Sequence, residues 1–191
     1  HDNYGGKTIK RDQEAADHKA KRVADSKAAA LIWPFMKYEI AENCMTCHGL
    51  ANPHLKADDL AKMLGAGHPI NPEFELVKYS QGSVRHRYYA PNMSVNAEMT
   101  PKELAELYVI GQAAALVSAT GAMSKSDEAK YKEAQNKRVE NAKAILKNIP
   151  EAAGLLASPT RENALKLSKA IAGKDLTNIV GSKLPAKSDY K

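Results

Sequence analysis

The chain is poor in cysteine, in aromatic residues and in long apolar runs. Of its 191 residues only two are cysteine, one is tryptophan and two are phenylalanine. Two cysteines exclude a disulfide-stapled scaffold, which needs several bridges. Aromatic residues make up 6%, and their scarcity beside abundant alanine and lysine favours helix over strand. The longest uninterrupted apolar run, residues 28–36, contains Pro34. It falls short of the ~18–20 residues that cross a bilayer, so no membrane span is expected. An initiator methionine is also missing, since the sequence opens on His1. The expectation is a processed, exported chain from which a signal peptide has been removed.

What is present is basic and ordinary in hydrophobicity. The formal net charge is +6, and 43% of residues are hydrophobic, enough for a real core. The lysines are scattered through helical stretches that also hold Glu and Asp, as on a solvated surface. No arginine-rich cluster interleaved with aromatics stands out, which argues against nucleic acid. A basic surface can instead steer the protein towards acidic partners.

Both cysteines fall in one segment, Cys44-Met45-Thr46-Cys47-His48. Two thiols three positions apart on a helical turn can reach the two vinyl groups of a haem and add to them as thioethers. The histidine that follows is then placed under the iron. A thioredoxin-type Cys-x-x-Cys needs a βαβ setting, and no strand-rich flank is visible. A zinc site needs two further ligands at short spacing, and His54 and His68 do not form such a pair. A structural disulfide would leave His48 unexplained.

The remainder reads as helices. Residues 9–31 have no interior Pro or Gly after a loose tail, and Trp33-Pro34 breaks them. Pro34 suits the first turn of a second helix over 34–43 that leads into the cysteine segment. Residues 58–64 form a short helix with acids in its first turn, and 69–98 read as loop. Thr100-Pro101-Lys102-Glu103 is a capping-box helix start. That helix is expected to end near Val117, with Gly121 marking a turn. A charged helix over 127–147 carries Val139, Ala142, Leu146 and Ile149 on one side, and Pro150 stops it. A last helix over 159–172 is capped by Ser158 and ended by Gly173. The polar tail after Leu184 is expected to be mobile.

On these residues, 34–118 resemble a class I cytochrome c core. That family has a helix leading into Cys-x-x-Cys-His, a proline-containing loop, a methionine ligand and a C-terminal helix crossing the first. The corresponding parts are residues 34–43, Cys44 to His48, Asn52-Pro53-His54-Leu55, Pro91-Asn92-Met93 and the helix from Thr100. The resemblance implies an all-α fold around one covalent haem c, a periplasmic location, and a role for the Pro53 carbonyl in orienting His48. Residues 1–33 and 119–191 are then helical extensions that cover the haem or make a homodimer or hetero-complex.

Met93 is the first choice for the second axial ligand, because it lies in a non-helical segment shortly before Thr100. His68, beside Pro69, is the alternative; His86 between Arg85 and Arg87 is weaker. Met99 suits a hydrophobic staple better, and a vacant position stays open. Arg85, Arg87, Tyr88 and Tyr89 form a cluster able to bind haem propionates. Trp33 suits either the haem edge or a helix junction. The leading expectation is single-electron transfer between redox partners, not an enzyme by itself, either alone or as the cytochrome subunit of an oxidoreductase complex. The alternative is a protein that binds or senses nitric oxide or carbon monoxide at a vacant or labile sixth position.

Overall fold

The computed structural model of the chain describes residues 13–82 and 94–191. Among them the structure is all-helical, 65% helix with no strand. In chain order the helices are α1 (Ala16–Ala28), α2 (Lys37–His48), α3 (Ala57–Gly65), α4 (Leu76–Ser80), α5 (Pro101–Ala122), α6 (Ala129–Leu146), α7 (Ala153–Ala157), α8 (Arg161–Ile171) and α9 (Thr177–Val180).

The organising element is α5. Its start is the one expected from sequence. The Glu103 N–H donates to Thr100 Oγ1 at 3.3 Å, the Thr100 N–H donates to the Glu103 carboxylate at 2.8 Å, and Pro101 opens the helix. The helix then continues beyond Val117 to Ala122, so Gly121 lies in its last turn. Ala119 and Ala122 are buried, and this burial extends it. Its buried residues point around the whole axis, because α2, α4, α6, α8 and α9 all pack on it. By length and composition α5 could cross a membrane, with a mean hydropathy of 1.3. The count of uninterrupted runs passed over it. Of that apolar stretch 72% is buried inside the fold, so packing accounts for its hydrophobicity.

Gly111 shows how closely the neighbours approach. A Cβ there would sit 3.0 Å from the Leu76 Cβ of α4. One buried cluster joins Tyr38, Ala41 and Met45 of α2 to α5, and both to Ala142 and Leu146 of α6 and Ala164, Leu167 and Ile171 of α8. The residues after 119 therefore share a core with those before it. Buried Glu106 ties three elements together: it accepts from Lys37 Nζ at 2.6 Å and from the Gly173 N–H at 3.2 Å. A buried carboxylate needs such partners. A smaller cluster of Leu50, Leu60, Leu64, Ala122 and Tyr131 seats α3 against the turn between α5 and α6.

Several boundaries differ from the sequence expectation. Pro34 lies in a turn before α2, which starts at Lys37 and runs through the cysteine segment to His48. The stretch read as loop contains α4, capped by Glu75, whose carboxylate accepts from the Val77 and Lys78 N–H groups, both at 2.9 Å. Helix α8 is capped by Thr160 instead of Ser158, with the Asn163 N–H donating at 3.2 Å. Gly173 ends it at φ +69°. The tail is docked: Tyr190 packs on the core, and the Lys191 N–H donates to the Lys78 carbonyl at 2.9 Å. Trp33 sits at the α1–α2 junction, stacked on Phe35 at 6.0 Å with the Arg22 guanidinium 4.9 Å above its ring.

Tyr38, Tyr108 and Tyr131 are all buried. Burial is the main force pushing each hydroxyl up, Tyr108 to about 12. An unfolded tyrosine ionises near 10. Above that pH the unfolded chain releases protons that the folded chain retains, so stability falls as pH rises from about 10 towards 12. An alkaline titration should therefore show tyrosinate absorbance rising together with loss of helical circular dichroism. If all the tyrosines ionised at their ordinary pH with the helices intact, the burial described here would be wrong.

Candidate functional site

The site begins with the way α2 is held. Tyr38, Ala41 and Met45 recur at helical spacing and are all buried against α5. Fixing that stripe turns the opposite side of the last turn outward. Cys44 flanks the stripe and is half-buried; Cys47, three residues on, is exposed. Both are free thiols. Burial, reinforced by neighbouring Cys47, pushes the Cys44 thiol up and keeps it protonated at neutral pH.

His48 closes the helix. Its imidazole lies on the ring of Phe74, centroids 3.9 Å apart and planes 10° from parallel. Tyr79 approaches from the side at 5.7 Å and touches Phe74 at 4.8 Å. One ring face is thus covered by residues in and just before α4, while the residue as a whole is exposed. Burial first, and the charge of Arg138 second, pull the imidazole below its ordinary range. At pH 7 it is neutral, the form that binds a metal.

The chain then turns sharply. Gly49 follows directly; a Cβ there would fall 2.4 Å from the Met45 carbonyl oxygen and 3.1 Å from Ser118 Oγ. Leu50 adopts φ +48°, the left-handed conformation that ends many helices. The carbonyls exposed by this ending are met by side chains of α6. Tyr131 Oη donates to the Leu50 carbonyl at 3.0 Å, and Gln135 Nε2 donates to that of Gly49 at 2.8 Å. The Arg138 guanidinium donates to the carbonyls of His48, Gly49 (3.1 Å) and Asn71 (2.6 Å). Lys125 donates to the carbonyls of Asn52 and Leu55, fixing the next loop.

A cavity of about 670 Å³ opens beside this turn. It is lined by Thr46, Cys47, His48, Leu50, Asn52, His54, Leu55, Met63, His68, Pro69 and Asn71. The fold thus brings His54 and His68 to the same cavity as Cys47 and His48. His68 Nδ1 lies 2.9 Å from the Pro69 carbonyl. Pro53 is exposed in the turn after Asn52, and the described contacts of the His48 ring are aromatic. Met99 packs on the main core. Arg85, His86, Arg87, Tyr88, Tyr89 and Met93 lie outside the described residues.

These residues fit a haem. Two thiols share a helical turn, a neutral imidazole adjoins them, and the cavity, within the ~300–1,000 Å³ of ligand sites, is bordered by Cys47 and His48 and offers Leu50, Leu55, Met63 and Pro69 as apolar wall. Among the described residues no three of His, Cys, Asp and Glu converge to hold a bare metal ion. Sequence reasoning missed Tyr131, Gln135 and Arg138. Their only signal is that they recur every three or four residues, as a helix stripe does. Compared with protein-family models, with curated proteins and with solved structures, the chain matches none.

Gly49→Ala should destabilise the protein by about 1–3 kcal/mol, the usual range for overpacking. Tyr131→Phe should cost about 1 kcal/mol, because the Leu50 carbonyl loses its donor. Urea unfolding midpoints at constant slope are the measurement. A Gly49→Ala midpoint equal to the parent's would contradict the close contact with Met45.

Proposed function

We propose that the chain is a monohaem c-type cytochrome that passes single electrons between redox partners. The observation that carries this reading is that Cys44, Cys47 and His48 share the last turn of α2, and that Cys47 and His48 border a cavity of about 670 Å³. The packing of α2 on α5 adds support. In the class I cytochrome c family, which residues 34–118 resemble, the helix before the attachment motif crosses the helix after the methionine loop.

In this reading Cys44 and Cys47 each form a thioether, and His48 offers its neutral imidazole to the iron. Phe74, stacked on that imidazole, limits its rotation. Leu50, Leu55 and Pro69 keep water from the cavity wall. When bound, haem supplies a single iron that cycles between ferrous and ferric states. Met93 is the first choice for the opposite axial position and His68, which borders the cavity, the alternative. Arg85, Arg87, Tyr88 and Tyr89 are the candidate propionate partners. The net charge of +6 favours a partner with an acidic docking face. Thioether attachment in this family takes place outside the cytoplasm, so a periplasmic location goes with the reading.

Protein purified from an exporting, haem-loading host should stay coloured after denaturation, with a mass above the bare polypeptide by one haem. Replacing both Cys44 and Cys47 with Ser should abolish this. The ferric form should be low-spin with the weak far-red band of sulfur–iron ligation, and Met93→Ala should remove that band. A low-spin spectrum that lacks this band, is unchanged in Met93→Ala and is lost in His68→Ala would reassign the ligand. A colourless denatured protein would overturn the proposal, and rapid carbon monoxide binding by the reduced form would favour gas binding instead.

A further inference from the structure

The buried cation beside His48 does more than capping requires. Arg138 is only 3% exposed. Its guanidinium donates to the His48, Gly49 and Asn71 carbonyls and, at 3.1 Å, to Gln135 Oε1. Every one of these acceptors is a neutral oxygen. Its Nε is buried and donates to nothing. Among the described residues the charge is therefore solvated by carbonyl dipoles alone, with no carboxylate against it. Burying a charge in this way is costly. Neutral Gln135 already serves the Gly49 carbonyl at 2.8 Å, so it is the His48 and Asn71 carbonyls that call for the guanidinium, and the charge comes with it. Guanidinium stays protonated at any working pH, so the charge is permanent.

We propose that Arg138 is a positioning residue that also sets the redox balance of the site, its fixed charge favouring the reduced state of the iron held by His48. The inference rests on the haem reading above. Oxidation leaves one more positive charge at the iron, and a nearby buried cation opposes that change. In the interior such opposition is far less screened than at the surface. The same guanidinium holds the backbone on either side of the imidazole, through the His48 and Gly49 carbonyls in α2's last turn and the Asn71 carbonyl before Phe74. It thereby joins the ligand to the ring stacked on it.

The test compares Arg138→Lys with the neutral Arg138→Gln and Arg138→Met in the haem-loaded protein, by potentiometric titration and absorption spectra. Arg138→Gln should shift the reduced-to-oxidised ratio at fixed applied potential about tenfold towards oxidised, which is ~59 mV for one electron. Arg138→Lys should stay near the parent, and the spectra should show the same axial ligands in all. Should the neutral variants fail to fold, Gln135→Glu sets a carboxylate against the same guanidinium, which now donates to Gln135 Oε1 at 3.1 Å. Its potential should fall below the parent's, and a potential equal to the parent's would count against the role of charge. Equal potentials in parent, Lys and neutral variants, or an equal drop in Lys and Gln, would overturn the role of charge while leaving the haem reading intact. Absence of covalent haem from the parent overturns both.

Discussion

Three backbone carbonyls at the end of α2, those of His48, Gly49 and Leu50, depend on side chains from a helix far along the chain. A helix that ends on a sharp turn leaves carbonyls without intrahelical donors, and burying them unpaired is costly. Helix α6 supplies the donors from Tyr131, Gln135 and Arg138. It can do so only because it is packed along α5, the helix on which α2 itself rests. The direction of the His48 imidazole is thus a consequence of the α5–α6 pairing.

This arrangement explains which parts of the site are legible in the sequence. Cys44, Cys47 and His48 identify themselves by spacing, and Thr100 with Glu103 announces α5, because both signals are local. The clamp is not local. Periodicity finds apolar residues, and on α6 it finds Val139, Ala142 and Leu146. It passes over Gln135 and Arg138, which look like members of a solvated face although they are 0% and 3% exposed. Their partners are backbone oxygens, which carry no residue identity for a sequence to display. The same blindness extends α2 through the cysteine segment unannounced: only the buried Met45 continues its stripe that far.

Hydrophobicity misleads in a complementary way. Residues 119–191 read as an addition to a smaller core, since they lie outside the resemblance over 34–118. In the fold, Ala142 and Leu146 share one buried cluster with Tyr38 and Met45. Helix α5 is apolar on all sides because neighbours surround it, and helices from both halves of the sequence supply them. A protein ending near residue 118 would expose the α6 and α8 faces of α5 and strip the carbonyl clamp from His48. The later helices are part of what makes the cysteine turn a defined shape.

Two contacts fix the imidazole: Phe74 against its face, and Arg138 on its own backbone carbonyl. Arg138 also holds the carbonyl of Asn71, shortly before Phe74, so both contacts run through one guanidinium. A neutral side chain of similar reach could satisfy one or two of those oxygens. It could not bind three separate carbonyls with a rigid, planar set of donors. Geometry therefore selects arginine, and the charge that comes with it is unavoidable. A group chosen for its shape thus brings its charge to the backbone of His48, so the orientation of that imidazole and the electrostatics around it come from the same residue.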